Sequence, residues 1–376
     1  MPFMIENLSS LAGRAISPLI SPFKNRTKRP QKVKKILVVK IWATGEVLLT
    51  TPALRTLRRL FPNAEINYLT GIRSSPIIAT NPNINRILTV DESIFISLNP
   101  IKIMQLMLDI RKQDYDLCIL FHHSFAFALI FRIICSGILA GINRRGEGAL
   151  LNYSTEYDET IHQADEYLNV VLSLGGKPED KGLEIFLTEK VTNKVEKQLK
   201  DAGISEKYIV IAPGGGDNPK TKMPNKLMPI NKWNALVQKL CSLSIPILII
   251  GSKSDRKRAR ILASLSSNIT DITGKTTIPE VSAVIKCSRL LITNDSLPLH
   301  ISSAFKTPTI VIFGPTNPVR YGPYKNDNSI IISPRVKCAP CYRDGYLENC
   351  VRMICWEDID PEEIMQFVKE KLNLVR

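Results

Sequence analysis

Short apolar runs alternate along this chain with segments of helical length, and the alternation occurs twice. Strands that are apolar on both faces and separated by helices are typical of a parallel sheet covered by helices on each side. The segment Gly175–Pro178 separates the two series and has the composition of a linker. The predicted strands are Ile36–Ile41, Glu65–Leu69, Arg86–Val90 and Leu117–Phe121 before the linker, and Tyr208–Ala212, Pro246–Gly251, Arg289–Thr293 and Thr309–Phe313 after it.

This pattern predicts two doubly wound, Rossmann-like α/β domains. We place them at residues 35–175 and 176–360, after an N-terminal arm at 1–34 and before a C-terminal helix at 361–376. A length of 376 residues suits two domains of ordinary size. Because ligands of open α/β sheets bind at the carboxyl ends of the strands, we expect the two domains to face a central crevice that holds the site.

The N-terminal arm carries almost half of the net charge of +15. The first 35 residues hold eight Lys and Arg against Glu6 alone, and apolar residues precede most of these cations. An amphipathic stretch followed by a basic cluster favours an anionic inner-membrane surface as a partner, with a disordered solubilising tail as the alternative. Charge alone would also suit a nucleic-acid binder, but no basic-aromatic recognition motif supports that, and we expect no nucleic-acid partner.

The sequence favours a cytoplasmic protein that lies peripherally on the inner face of the inner membrane. No run of 18 apolar residues is free of charge, as a spanning helix would require. In the arm the basic cluster follows the apolar residues, whereas a signal peptide has the opposite order.

Glu46 is the first candidate for chemistry. It follows the first predicted strand in the turn Thr44-Gly45-Glu46, where a helix begins. In an open α/β sheet this turn points toward the ligand. The alternative is that Glu46 only complements the positive end of the helix. The turn lacks a G-x-G-x-x-G pattern, which disfavours a nicotinamide or flavin dinucleotide.

A glycine-rich loop opens the second domain. Gly214, Gly215 and Gly216 directly follow a predicted strand, and glycines there allow backbone N–H groups to approach an anion. A plain turn is the alternative. Cations that could pair with a phosphate follow at Lys220, Lys222 and Lys226. The G-K-[ST] sequence of a P-loop is absent.

The segment Asn294–His300 follows another strand of the second domain. Asp295 or Ser296 is suited to cap a helix that begins near Pro298, and the helix N-terminus would then bind an anion. His300 would lie one turn into that helix and face the same site. A helix cap beside a hydrogen-bonded core histidine is the alternative.

Together and in this order, these motifs resemble glycosyltransferase family 9, the ADP-heptose:lipopolysaccharide heptosyltransferases. Gly45–Pro52 matches the family's Gly-Asp-Val-Leu-x-x-x-Pro turn, and Pro213-Gly214 with Lys226–Pro229 is similar to its Pro-Gly turn and Lys-x-Trp-Pro. Asn294–His300 followed by Phe313–Pro318 looks like its nucleotide-sugar signature. The similarity extends over about residues 35–372.

The resemblance implies a GT-B fold, with the acceptor on the first domain and the nucleotide sugar on the second. The reaction would be an inverting, metal-independent transfer of a sugar, by analogy heptose from ADP-heptose, to the inner core of lipopolysaccharide or a related glycolipid. Glu46 would stand at the family's catalytic acid, with Thr44 and Gly45 beside it on the acceptor side. The implied donor-binding residues are Gly214, Lys226, Asp255, Asp295, Ser296 and His300. Among these, Lys226 would contact the diphosphate and Asp255 the ribose.

Three departures from the family pattern keep a second function open. Glu46 replaces Asp, Leu297 replaces Gly, and Met228 replaces Trp. The alternative function is therefore a non-catalytic protein of the same fold that binds a sugar nucleotide or acts as a scaffold.

Four of the eight cysteines lie close together near the C-terminus. Thiols at the spacing of Cys338, Cys341, Cys350 and Cys355 could hold a structural zinc ion, or could be reduced cysteines of a loop. We favour the second interpretation and expect no cofactor besides the nucleotide-sugar co-substrate.

Overall fold

The computed structural model describes residues 32–97, 99–144, 146–204, 207–215, 223–342, 350 and 352–374. Contacts between residues divide the chain into two compact units after Lys181, six residues beyond the predicted boundary at 175. Nearly all of the predicted arm, residues 1–31, lies outside the described part of the chain.

Unit 1 contains a six-stranded parallel sheet with the order β3-β2-β1-β4-β5-β6. The central strands β1 and β4 consist almost entirely of buried Ile, Leu and Val, which explains why they lie in the middle of the sheet. The strands are β1 Lys35–Val39, β2 Glu65–Gly71, β3 Arg86–Val90, β4 Leu117–Leu120, β5 Ile138–Asn143 and β6 Tyr153–Glu156.

Helices cover the sheet of unit 1. The helices are α1 Thr44–Leu49, α2 Thr51–Leu60, α3 Ser93–Ile96, α4 Pro100–Arg111, α5 Phe125–Ile134 and α6 Gln163–Ser173. Helix α2 has a proline in its first turn, where the missing N–H costs no hydrogen bond. Helix α5 contributes Phe127, Phe131 and Ile134 to a core that also includes β1 and β4.

Unit 2 has the same topology. Its parallel sheet has the order β12-β11-β10-β7-β8-β9, which repeats the order of unit 1 when the strands are counted from β7. The strands are β7 Ile209–Ala212, β8 Ile247–Ile249, β9 Ile269–Asp271, β10 Leu290–Asn294, β11 Thr309–Ile312 and β12 Ser329–Ile332.

The helices of unit 2 include the C-terminal helix that the sequence predicts at 361–376. That helix, α14, packs against α8 and buries Ile364 and Val368 in the core of unit 2, together with Leu372 directly after it. The helices are α7 Glu189–Asp201, α8 Ile230–Cys241, α9 Arg256–Ala263, α10 Ile278–Cys287, α11 Leu297–Phe305, α12 Pro318–Tyr321, α13 Ile354–Glu357 and α14 Pro361–Lys371.

All eight predicted strands are present within two residues of their expected ends, and four further strands were not predicted. Strands β6 and β9 are three or four residues long and carry polar residues, so they lack an apolar run. Strand β5 contains Ala140 and Gly141, which are poor strand formers, and β12 is an edge strand.

In each sheet the strand order reverses direction at a central pair, β1 and β4 in unit 1 and β7 and β10 in unit 2. Such a switch point leaves a crevice at the carboxyl ends of the two strands, where open α/β sheets bind their ligands. The residues that follow β1, β7 and β10 are therefore placed to form sites.

Candidate functional site

Glu46 lies at the switch point of unit 1, as the sequence predicts. Helix α1 begins at Thr44 directly after β1, and Glu46 is in its first turn. Buried Val47, Leu48 and Leu49 anchor the helix, while the Glu46 side chain is 36% exposed. The core thus fixes the turn and leaves the Glu46 side chain partly exposed.

Two side chains hold the Glu46 carboxylate. It forms an ion pair with the ammonium of Lys40 and accepts a hydrogen bond from the Tyr167 hydroxyl at 3.2 Å. Lys40 follows β1 and is only 3% exposed. Its ammonium also donates to the carbonyl of Phe121 at 3.3 Å and lies 5.3 Å from the centre of the Tyr167 ring. Such partners are required because an unpaired buried charge is costly.

These contacts keep Glu46 ionised. Burial of the carboxyl group raises its pKa, whereas the Lys40 ammonium lowers it through its charge and its hydrogen bond. His123 and the Tyr167 hydroxyl lower the pKa further, so that it falls below the ordinary value of a glutamate. At neutral pH the group is a carboxylate, the form in which it can accept a proton.

The two adjacent histidines of unit 1 have different environments. His122 accepts a hydrogen bond from the backbone N–H of Ile41 at 2.8 Å, which ties β4 to β1. His123 instead has its Nε2 3.1 Å from a carboxylate oxygen of Glu166 and its ring edge against Tyr157. The charge of His123 lowers the pKa of Glu46.

Thr44 and Gly45, the predicted acceptor-side residues, form the start of α1 and are partly exposed. The Thr44 hydroxyl lies 3.1 Å from that of Ser74, which fixes the turn to the loop after β2. Both residues are therefore beside Glu46, as expected from the sequence.

In unit 2 the neighbouring side chains leave room only for glycine at two positions of the turn after β7. A Cβ at Gly214 would lie 2.2 Å from the Asp255 carboxyl group, and a Cβ at Gly215 would lie 2.4 Å from the Cβ of Ser296. Gly215 also has φ +111, a left-handed conformation that favours glycine. The turn thus brings together Gly214, Asp255 and Ser296, three of the predicted donor-binding residues.

Lys226 and Asp295 form an ion pair in unit 2. The Lys226 ammonium lies 2.9 Å from an Asp295 carboxylate oxygen, and the two side chains are 18% and 5% exposed. Asp295 follows β10, and Lys226 ends a short 3₁₀ turn at Pro224–Lys226. The other predicted cations, Lys220 and Lys222, lie with Gly216 outside the described residues.

Helix α11 begins at Leu297, one residue before the predicted position, with Ser296 as its N-cap. Neither predicted side chain caps it: no side-chain hydrogen bond closes this N-terminus. The Ser296 hydroxyl bonds to the Asn294 carbonyl at 3.3 Å, and Asp295 pairs with Lys226. The first turn of α11 is therefore not blocked by a side chain and is suited to bind an anion. His300 is in this helix and is buried.

Asp255 has a structural role in addition to its place in the cluster. Its Oδ2 atom accepts hydrogen bonds from the backbone N–H of Ser252 at 2.8 Å and from the Ser252 hydroxyl at 2.7 Å, in a capping box. Contact with a ribose stays a prediction for this residue. Met228, which replaces a family tryptophan, is fully buried in the core.

Comparisons with known proteins identify the family. A family model for glycosyltransferase family 9 (heptosyltransferase) matches residues 103–352. The chain belongs to glycosyltransferase family 9. It is 26% identical to lipopolysaccharide heptosyltransferase 3 of Escherichia coli K12 over 289 residues, which cover 74% of this chain and 82% of the relative. The resemblance drawn from the motifs is confirmed, and the protein is a glycosyltransferase.

Solved structures confirm the fold of this family 9 enzyme. A glycosyl transferase family 9 protein from Veillonella parvula superposes with a TM-score of 0.78 at 23% identity, covering 93% of this chain and 100% of the other. The E. coli heptosyltransferase WaaC with ADP-2-deoxy-2-fluoro heptose gives 0.68 at 17% identity, covering 89% and 99%. The predicted GT-B fold class is therefore confirmed, as two doubly wound α/β units.

Sequence reasoning missed two residues of the candidate site around Glu46. Lys40 interrupts an otherwise apolar strand segment, and a lysine in such a run signals a buried partner of opposite charge. Tyr167 had no such signal, because it occupies an ordinary core position on α6 and reaches Glu46 from 121 positions away.

The four clustered cysteines line one small pocket together with Asn225 and Pro315. Burial raises the pKa of the Cys355 thiol to about 11, with smaller contributions from the three neighbouring thiols. Among the described residues, however, no three Cys, His, Asp or Glu side chains are placed to hold a metal ion. The zinc site stays a hypothesis without support from this geometry.

In the part of the chain that the structure covers, no helix is long and apolar enough to cross a membrane.

Proposed function

We propose that this family 9 enzyme transfers heptose from ADP-heptose to the inner core of lipopolysaccharide or a related glycolipid, with inversion and without a metal ion. Three facts support the choice of substrates: the family match, the similarity to lipopolysaccharide heptosyltransferase 3, and the structural similarity to a heptosyltransferase with an ADP-heptose analogue. The observation that carries the proposal is the ionised carboxylate of the partly exposed Glu46 side chain at the switch point of unit 1.

Glu46 acts as the general base. A sugar hydroxyl is a poor nucleophile at neutral pH, so transfer requires a group that removes its proton as the new bond forms. The acceptor oxygen attacks the anomeric carbon on the face opposite the nucleotide, its proton passes to Glu46, and the bond to the diphosphate breaks. Because attack and departure occur on opposite faces, the anomeric configuration inverts.

Lys226 and the N-terminus of α11 stabilise the leaving diphosphate. Negative charge grows on the diphosphate as its bond to the sugar breaks, and a cation with uncapped backbone N–H groups is suited to bind it. In the absence of donor, Asp295 holds the Lys226 ammonium in position. These groups supply the charge stabilisation that a divalent metal would otherwise provide.

The reaction takes place at the inner face of the inner membrane, where the acceptor lipid is anchored. The basic arm at residues 1–34 supports this location, since each cation near an anionic bilayer contributes on the order of 1 kcal/mol to binding.

The test is a panel of ADP-, UDP- and GDP-sugars, first in a thermal-shift assay and then with an inner-core acceptor. ADP-heptose is expected to raise the melting temperature most, because a ligand of the native state stabilises it. The glycosidic product, identified by NMR, is expected to have the anomeric configuration opposite to that of the donor, with or without EDTA. Donor binding without product from any inner-core acceptor would instead support the non-catalytic alternative, which the replacements at Glu46 and Leu297 motivate.

A further inference from the structure

Two neighbouring helices of unit 1 expose apolar side chains to solvent. We define the α4–α5 patch as Ile101, Met104 and Leu108 of α4 with Leu129 and Ile133 of α5; each of these residues is at least 43% exposed. The spacing of three and four residues places the members of each helix on one face. The two helices pack against each other, and the Arg111 guanidinium donates to the carbonyl of Ile133 at 3.0 Å.

The apolar character of the patch is not a consequence of core packing. The opposite face of α5 already supplies Phe127 and Phe131 to the core, and α4 buries Ile110. A surface helix ordinarily has polar residues on its outer face. Contiguous exposed apolar residues are typical of an interaction surface.

Basic residues border the patch. Lys102 lies near the start of α4, and Arg111 and Lys112 lie at its end, all exposed. The one acidic residue of α4, Asp109, lies 3.6 Å from the Lys112 ammonium. An apolar centre with a cationic border complements an anionic bilayer, whereas in a self-contact between two copies the cations would repel each other.

The patch is connected to the turn that carries Glu46. Helix α5 begins five residues after the end of β4, and its Phe127 packs on Trp42 with the ring centres 5.5 Å apart. Trp42 is four residues before Glu46. Docking of this surface would therefore bring the acceptor unit to the lipid that anchors the acceptor.

We propose that the α4–α5 patch is a docking surface for an anionic lipid bilayer. The inference rests on the proposed function in one respect, because it assumes that the acceptor is anchored in a lipid bilayer. The apolar side chains enter the boundary between headgroups and acyl chains, and Lys102, Arg111 and Lys112 contact the anionic headgroups.

The experiment measures co-sedimentation of the full chain with phosphatidylcholine vesicles that contain 30% phosphatidylglycerol. The patch variant is Met104→Glu/Leu108→Glu. The matched control is Val319→Glu/Ile331→Glu, which introduces the same charges at exposed apolar positions of unit 2. We expect the patch variant to lose at least tenfold in vesicle partitioning and the control to bind like the parent. Both should melt like the parent, because the altered side chains are exposed.

Several results would overturn the proposal. It fails if the patch variant binds vesicles like the parent, or if the parent does not bind phosphatidylglycerol vesicles. It also fails if sedimentation equilibrium shows that the parent is a dimer, and that the patch variant is a monomer that still binds vesicles. The same two substitutions are also made in a chain that lacks residues 1–31, and vesicle binding is measured again. If they do not change vesicle binding in that chain, the patch is occupied by the arm and not by the bilayer.

The catalytic proposal is tested separately with a water-soluble acceptor saccharide. The patch variant should retain the parental rate on this acceptor and lose rate only on the vesicle-bound one. Patch-dependent vesicle binding by a parent that forms no product with either acceptor would support the docking surface and contradict the proposed function.

Discussion

The two units have the same strand order but carry charge pairs of opposite arrangement at their switch points. In unit 1 the buried member is the cation, with the Lys40 side chain 4% exposed, and the more accessible member is the acid, with the Glu46 side chain 36% exposed. In unit 2 the buried member is the acid, Asp295 at 5%, and the more accessible member is the cation Lys226 at 18%. One topology thus presents an acid in one unit and a cation in the other.

This difference shows what topology decides and what it leaves to individual residues. The reversal of strand order fixes the place of a ligand site in both units. The sign of the buried partner fixes the charge of the accessible group, since a desolvated charge requires its counter-ion nearby. Unit 1 is therefore suited to accept a proton, and unit 2 to bind an anion.

The largest expected effect comes from removing the acid of unit 1. Glu46→Gln keeps the size of the side chain but removes its basicity, so kcat should fall by roughly 10²- to 10⁴-fold with little change in donor affinity. Glycosidic product is measured directly, and a melting curve checks folding. Near-full transfer by this variant would refute the assignment of Glu46 as base.

The variant Glu46→Asp serves as the matched comparison, because it retains the carboxylate and shortens the side chain. A slower reaction would indicate a site adapted to the longer glutamate. A rate equal to or above that of the parent would indicate the ordinary site of the family, in which aspartate stands at this position.

The positions of these groups were predictable from the sequence to different degrees. Glu46 and Asp295 were found because each follows an apolar strand, and the end of a strand in a parallel sheet identifies the site. Lys40 and Tyr167 were missed because they serve Glu46 from core positions, and the packing that brings them together is tertiary. The switch points themselves depend on strand order, which no local pattern encodes.

The same limit explains part of the error about the cap of α11 in unit 2. A serine or aspartate before a helix predicts a side-chain cap. Here Asp295 pairs with Lys226, and the Ser296 hydroxyl bonds within its own turn. Asp295 is thus drawn to a partner distant in sequence, and Ser296 to a carbonyl two residues before it. Strand β6 of unit 1 and strand β9 of unit 2 were missed for a local reason, because both are too short and polar to give an apolar run.

The next largest effect concerns the cation of unit 2. Lys226→Ala removes a charge-assisted contact worth about 1.5–3 kcal/mol, so the donor dissociation constant should rise by roughly 10- to 100-fold and transfer should slow. The matched control is Lys239→Ala, which removes a lysine whose ion pair with Glu362 lies at the surface. Calorimetric titration with donor measures the effect.

The effect of EDTA on the rate is a second test of the role of unit 2, because Lys226 and the start of α11 are proposed to act without a metal ion. EDTA should leave the parental rate unchanged. Loss of activity in EDTA with recovery in magnesium, or donor binding that is unaffected by Lys226→Ala, would contradict the proposed role of unit 2.

A smaller effect is expected from the buried cation of unit 1. The Lys40 ammonium counteracts the effect of burial on Glu46 and helps to keep the pKa of that carboxyl group below its usual value. Lys40→Met should therefore raise the pKa of Glu46 and move the acid limb of the pH profile of kcat to higher pH. Lys40→Arg keeps the charge and should leave the limb nearer its parental position. An identical acid limb in the parent and Lys40→Met would show that the pair does not control the base.

The lowered pKa of Glu46 also predicts how the stability of the protein depends on pH. Because the pKa of Glu46 is lowered in the folded state, its ionisation favours folding at pH values above the ordinary carboxyl pKa. That contribution is lost as the pH falls through the lowered folded value, and Lys40→Met removes it. Melting temperatures of the parent and Lys40→Met should therefore differ most near neutral pH and converge in acid.

The smallest expected effect tests whether the glycine turn of unit 2 supports the anion site beyond its role in folding. Gly215 and Gly203 both have positive φ, at +111 and +75. A Cβ at Gly215 would meet Ser296 at 2.4 Å, whereas a Cβ at Gly203 meets nothing within 4 Å. Gly203→Ala should lose about 1 kcal/mol of stability, because alanine disfavours this conformation, and Gly215→Ala should lose more, because its Cβ also meets Ser296. Only Gly215→Ala should also weaken donor binding, by a few-fold, since it displaces the residue that precedes α11. If the two variants bind donor equally well, the turn serves the fold alone, and the anion site of unit 2 reduces to Lys226 and the start of α11.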